Sequence, residues 1–334
     1  MMQFEVLATT NDEQQPFARQ TRSVPSLGPQ DLLIKVKATA VNPVDVKQRQ
    51  TAIQTQQTRV LGFDAMGEII DKGASVTDFA IGDAVFYAGE LKRDGSNATY
   101  QVVDARLVAQ APENWSPTEL ASLPLTFLTA YELLADKFGL TMTANSAVGQ
   151  TLLIVNGAGG VGSIMIQLAK WLGMTVIATA SRRTTVNWVR EMGADMVVNH
   201  REDYVAALAA MSVTTIPYIA VLHQLEPHFE RVATLVAPFG HIGAIVESID
   251  PLPVNLLKGK SASLDWEFMF AKANYQVDMA SQGQALQLAA QLITTGILKP
   301  TLTHVYQGLT AANLVAAQEL VMAGEVYGKI ALEV

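Results

Sequence analysis

Gly157-Ala158-Gly159-Gly160-Val161-Gly162 is the segment whose residue types and spacing point most directly to chemistry. Glycines spaced GxGxxG permit a tight turn and let backbone amides approach a pyrophosphate at the positive end of the following helix. The pattern is informative only between a strand and a helix. Here the apolar run LLIVN (152–156) precedes it. After it, VGSIMIQLAKWLG puts Val161, Ile164, Leu168 and Leu172 on one helical face, with Gly173 at the C-terminal cap. The next apolar run, TVIATA, ends at Ala180, where an acidic residue would hold a free ribose 2′-hydroxyl. Ser181, Arg182 and Arg183 stand there instead. A hydroxyl and guanidinium groups bind a 2′-phosphate through charge-assisted hydrogen bonds, whereas a carboxylate would repel it. The expected cofactor is therefore NADP(H), the alternative being arginines on a solvated turn.

The elements that must position these residues follow from the same patterning. TTVNWVREMG reads as a short helix and MVVN (196–199) as a third strand, so residues 123–265 form a doubly wound parallel sheet, the Rossmann arrangement. Upstream, FEVLAT, DLLIKVKATAV, GEIIDKG and GDAVFYAG read as short strands of a mostly β unit. In DLLIKVKATAV the apolar positions are Leu33, Ile34, Val36 and Ala38. Ser116 and Glu119 fit a capping box with Pro117 at the first helical position. The tail supplies the helices QALQLAAQLI and AANLVAAQEL and a closing strand, KIALEV, which could complete the first unit.

Composition narrows the class. The 334 residues contain no cysteine, which removes disulfides, iron-sulfur clusters and a cysteine nucleophile. With 23 basic and 31 acidic residues the net charge is −8, unfavourable for nucleic-acid or anionic-membrane partners. No apolar run reaches the roughly 18 residues of a membrane span, and the start turns polar before a signal-peptide core forms. A cytoplasmic enzyme of two domains is expected.

The run GQTLLIVNGAGGVGSIMIQLAK (149–170) resembles the quinone oxidoreductase group of the medium-chain dehydrogenase/reductase superfamily, with Gln167 and Lys170 part of the match. AVNPVD (41–46), LGFDAMGEI (61–69), FAIGDAVF (79–86), LPLTFLTAYELL (123–134) and GKIALE agree in order and spacing, and SASLDWEFMF (261–270) is similar to zinc-type alcohol dehydrogenase-like members. The resemblance implies a GroES-like, mostly β catalytic domain (1–122 and 266–334) around the Rossmann domain, with the active site in the cleft between them. It also implies a homodimer through the sheet edge near HIGAIV.

The same resemblance frames the metal question. Zinc-dependent relatives carry Cys, His and Cys at the positions of Asn42, Phe63 and Leu125. Phe and Leu offer no lone pair, so a zinc-free protein is expected. Without a Lewis acid, hydride transfer suits acceptors that are already electrophilic, namely quinones or enones and alkenals. By family position Asn42 and Thr129 lie beside the nicotinamide, and Asn42 is equally a turn former before Pro43. Asp45 would orient Asn42 or a substrate, or else act as a helix cap. Tyr131 would donate to a substrate oxygen, or else pack in a helix. His200 stands where relatives often carry a Tyr near the adenosine phosphate, and Gly240 and Gly243 mark a strand start close to the cofactor. His223 and His228, five apart with Pro227 between, read as structural, and Lys260 to Phe270 as cleft or subunit contact. A non-catalytic NADPH sensor on the same fold is the competing reading. None of the eight tyrosines is followed by Lys four positions later, which disfavours a short-chain reductase.

Overall fold

The computed structural model describes residues 2–334 and divides into two compact units. One combines the stretch ending at Leu128 with Phe270–Val334, and the other is Thr129–Met269.

In the first unit β1 (Gln3–Thr9) and β2 (Phe17–Ser23) form a two-stranded antiparallel ribbon. There follow β3 (Asp31–Val41), α1 (Pro43–Gln54), β4 (Ala65–Lys72), β5 (Ala84–Tyr87), β6 (Tyr100–Asp104) and β7 (Val108–Gln110). The short helix α2 (Pro117–Ala121) begins at the Ser116–Glu119 capping box, and α3 (Pro124–Glu132) runs across the unit boundary. In β3 the core face carries Leu32, Ile34 and Val36, packed on Ile69, Val85 and Tyr87. Leu33 is one residue out of that phase, because side chains of a strand share a face every second residue.

The second unit contains β8 (Thr151–Val155), α4 (Gly160–Trp171), β9 (Thr175–Thr179), α5 (Arg183–Glu191) and β10 (Met196–Val198). It continues with α6 (Tyr204–Ala210), β11 (Ile216–Val221), α7 (Glu226–Leu235), β12 (Val236–Ala244) and β13 (Ser263–Trp266). Its strands pair in parallel in the order β10-β9-β8-β11-β12-β13. The order reverses between β8 and β11, and such a switch point opens a crevice at the carboxyl ends of the strands. Leu153, Val155, Ile177 and Ile219 face Tyr204, Leu208, Phe229 and Val232 of α6 and α7. The segment HIGAIV begins inside β12, and the sheet edge near it is β13; the other edge is β10.

The chain then returns to the first unit through α8 (Phe270–Tyr275), α9 (Ala280–Thr294), β14 (Leu302–Tyr306), α10 (Ala311–Met322) and β15 (Lys329–Glu333). β15 pairs antiparallel with β3, Ile330 opposite Val41, and β14 extends the sheet in parallel beside it. The tail therefore completes a sheet of order β14-β15-β3-β4-β5-β7, with β6 also on β3.

Candidate functional site

The glycine turn joins β8 to α4 at the switch point. A Cβ on Gly157 would lie 2.8 Å from that of Ala178, and one on Gly162 only 2.6 Å from the Gly157 carbonyl oxygen. Both glycines are required by close packing of helix, turn and neighbouring strand. Around Gly159, the cap of α4, a Cβ would meet only Asn156, at 3.5 Å. That open side, at the positive end of a twelve-residue helix with no side-chain cap, fits a pyrophosphate. Ala158 is buried, and Val161 and Gly160 are half-buried in the first turn of α4.

Thr179, at the end of β9, ties this turn to its surroundings. Its backbone oxygen accepts from Gly157 N (3.2 Å), and its hydroxyl accepts from Asn156 N (2.9 Å). The same hydroxyl lies 3.2 Å from His200 Nδ1. Donating its proton there satisfies both groups and leaves the neutral ring with its proton on Nε2. Two residues beyond β9, half-buried Ser181 precedes Arg182, which caps α5 through a Thr185 hydroxyl that accepts from Arg182 N and donates to Arg182 O. Arg183 is the exposed first residue of α5.

Histidines that look unrelated in the sequence gather here. The rings of His200 and His228 meet edge to face at 6.5 Å, and His228 Nδ1 lies 3.3 Å from the Tyr204 hydroxyl. The Arg231 guanidinium stacks over the Tyr204 ring at 5.3 Å. Burial lowers the pKa of His200, helped by Arg201, His223 and Arg182. Burial lowers His223 as well. His228 is pushed down to about 4 by burial and then by His200, Arg231 and His223.

Gly240 does not belong to this group. It lies midway along β12, level with the amino end of β11, where a Cβ would strike Pro217 O at 2.8 Å, four residues before Ala244, which aligns with Val221 at the carboxyl end. Gly243 is a matter of space rather than backbone freedom, since a Cβ would meet Leu133 Cδ1 at 2.4 Å. Gln167 and Lys170 are structural too: Gln167 donates to Ser163 O, and Lys170 pairs with Asp195 at 2.9 Å. Lys260 donates to Ala233 O, Thr234 O and Val236 O and so caps the end of α7.

In the first unit Asn42 and Asp45 sit in a buried polar network, each 1% exposed. Asp45 accepts from Asn42 N (2.8 Å) and Gly62 N (3.0 Å), so it closes the start of α1 as a cap. Burial pushes its carboxyl up to about 7, opposed by the Asn42 amide and by Lys329. The Asn42 side chain is turned inward. Its Nδ2 donates to Asp64 Oδ2 (2.7 Å), and its Oδ1 accepts from Lys329 Nζ. Lys329, the first residue of β15, also pairs with Asp64 Oδ2 at 2.9 Å and donates to Val41 O. Leu125 N donates to the other Asp64 oxygen at 2.7 Å. Asn42, expected beside the nicotinamide, has both polar atoms of its side chain engaged within this core, and Asp45 orients Asn42 and caps the helix, two of the roles expected for it. Phe63 packs edge to face on Phe270, centroids 5.2 Å apart. These residues do not fit a zinc ion: a ring and an aliphatic side chain occupy two ligand positions, and an ammonium adjoins the third. Among the described residues no group of three or more His, Asp or Glu has metal-holding geometry.

Thr129 and Tyr131 stand on α3 in the second unit, Thr129 buried and Tyr131 half-buried. Glu132 follows, hydrogen-bonded to Glu267 just beyond β13. A π-helical turn, Leu133–Lys137, continues α3, a distortion frequent at functional sites.

The glycine turn at the switch point of a parallel sheet, in a chain that also contains a mostly β unit closed by both of its ends, defines a nicotinamide-dependent oxidoreductase of the medium-chain type. Residues 28–113 match the alcohol dehydrogenase GroES-like domain, and residues 160–261 match the zinc-binding dehydrogenase family. A zinc-type alcohol dehydrogenase-like protein of Staphylococcus aureus is 44% identical over 305 residues, covering 91% of each chain. The chain belongs to this zinc-type alcohol dehydrogenase-like family within the medium-chain dehydrogenase/reductase superfamily. A Rhizobium etli protein assigned as a zinc-dependent alcohol dehydrogenase has a solved structure that superposes with a TM-score of 0.93 at 34% identity, covering 100% of this chain and 99% of that one. The NADPH-dependent alkenal/one oxidoreductase of Arabidopsis thaliana chloroplasts is 37% identical over 196 residues, 55% of this chain and 49% of that protein.

Proposed function

We propose that this protein is a zinc-independent, NADPH-dependent reductase of quinones or of enones and alkenals. The observation that carries the reading is the core around Lys329: where zinc-dependent relatives assemble a metal site, this chain has an amide, a phenyl ring and an aliphatic side chain, with an ammonium–carboxylate pair behind them. An acceptor already polarised by conjugation does not require a Lewis acid. The similarity to an alkenal/one oxidoreductase and the Ser181-Arg182-Arg183 segment support the same reading.

NADPH, when bound, supplies a hydride from its nicotinamide ring. Gly157, Ala158, Gly159, Gly160, Val161 and Gly162 hold the pyrophosphate, and Ser181, Arg182, Arg183 and His200 the 2′-phosphate. Thr129 contacts the nicotinamide portion, and the Tyr131 hydroxyl donates to the substrate oxygen. Asn42 and Asp45 fix the backbone that shapes the pocket wall. The enzyme acts as a cytoplasmic homodimer paired through β13, where Trp266 and Phe268 are exposed beside an unpaired edge.

The test is oxidation of NADPH and NADH with a panel of quinones, enones and simple ketones, with and without added zinc. Turnover of quinones or enones with NADPH, unaffected by zinc, is expected, and Arg182→Ala should weaken NADPH binding about tenfold while leaving NADH unchanged. Ketone reduction that depends on zinc would overturn the chemistry. Tight NADPH binding with no turnover on any acceptor would favour a cofactor sensor.

A further inference from the structure

Imidazoles from two distant stretches of the chain lie at the carboxyl ends of β10 and β11. His200 is fixed by Thr179, which also clamps the glycine turn, and His228 lies edge to face with it. His223 lies two residues beyond β11 and within electrostatic range of both. The charged groups turned toward them are Arg182 from the β9–α5 junction, Arg201 from the loop after β10 and Arg231 from α7. Tyr204 of α6 presents its hydroxyl to His228. The acidic neighbours are engaged elsewhere: Glu202 accepts from Asn199 Nδ2, and Asp203 caps α6. Among the described residues the side-chain hydrogen-bond partners of His200 and His228 are the hydroxyls of Thr179 and Tyr204, not carboxylates.

We infer that His200, His223 and His228 form a proton-uptake site that couples the binding of an adenosine 2′-phosphate to pH. This rests on the NADPH reading above and deepens it. Without an anion, burial and three guanidinium groups hold the rings neutral. A dianionic phosphate beside Arg182 supplies the missing negative charge and favours the imidazolium form, first at His200, whose Nε2 is its free donor position. Affinity for the phosphorylated cofactor then rises as pH falls, since the bound state carries more protons than the free one. A cofactor with a free 2′-hydroxyl brings no such charge, and its affinity stays level. The cluster thus separates the two cofactors more sharply in mildly acidic conditions.

Calorimetric titration with NADPH, NADH and adenosine 2′,5′-bisphosphate at about pH 6 and about pH 8 tests this, in buffers of different ionisation heat so that protons taken up are counted. NADPH and the bisphosphate should bind about tenfold tighter at the lower pH with net proton uptake, each unit of imidazole pKa shift being worth a factor of ten. NADH should show neither effect. His200→Gln should abolish the uptake, and His223→Gln should reduce it. If NADPH is not preferred to NADH at either pH, the cofactor reading fails. If the preference stands but no protons are taken up, or if uptake survives in both variants, the proton-uptake site is overturned while the cofactor reading remains.

Discussion

Glu267 is 5% exposed and hydrogen-bonded to Glu132, with its Oε1 buried and unpartnered. Burial raises its pKa to about 9, and the neighbouring Glu132 carboxyl pushes it in the same direction. The folded protein therefore keeps a proton that the unfolded chain releases near the ordinary glutamate value. Stability falls as pH rises between those two limits, by about 1.4 kcal/mol per pH unit for the single proton. Glu267→Gln keeps a donor toward Glu132 and cannot ionise. Its urea midpoint should stay level between about pH 7 and pH 9, where that of the unaltered protein declines; parallel slopes in the two proteins would show that the pair does not hold the proton. Nothing in SASLDWEFMF marks Glu267 for this, because its partner is on α3, far back in the chain. The position of Ser181, Arg182 and Arg183 was legible, in contrast, since a strand end and the next helix start are adjacent in sequence.

At the scale of elements, the β8–turn–α4 unit was legible almost whole. Its apolar run, glycine spacing and helical periodicity are all local, and the structure adds why two of the glycines are needed. Gly162→Ala would put a methyl group 2.6 Å from the Gly157 carbonyl and force α4 away from the turn. Cofactor affinity should fall at least about tenfold, roughly 1.4 kcal/mol, in a fluorescence titration, whereas Gly159→Ala, with open space around it, should retain most of the binding. Equal loss in both would mean that the turn tolerates no side chain anywhere. Less legible was the strand that forms the edge near HIGAIV. The apolar character of HIGAIV is the same whether one or two neighbours flank it, and only the placement of β13, some 20 residues later, decides which.

At the scale of the molecule, both ends of the chain build one sheet, and Lys329 joins them. It lies 287 residues from Asn42 and is 4% exposed, with Asp64, Asn42 and Val41 as its partners. Lys329→Met fills the space but leaves the Asp64 carboxylate buried without its counter-charge. We expect a loss of about 3–5 kcal/mol in equilibrium unfolding, relieved in part by the further change Asp64→Asn. A single variant as stable as the parent would mean that the pair contributes nothing net. No helix among the described residues is long and apolar enough to cross a membrane.

The sequence by itself determined the parallel sheet, the glycine turn, the guanidinium groups after β9 and the absence of any thiol, because each is written in neighbouring residues or in residue type alone. Tertiary structure decided that Asn42 and Asp45 face inward, that Lys329 stands behind them and that the rings of His200 and His228 meet. Those facts depend on which distant backbones lie side by side, and a buried charge or imidazole takes its chemistry from its neighbours in space.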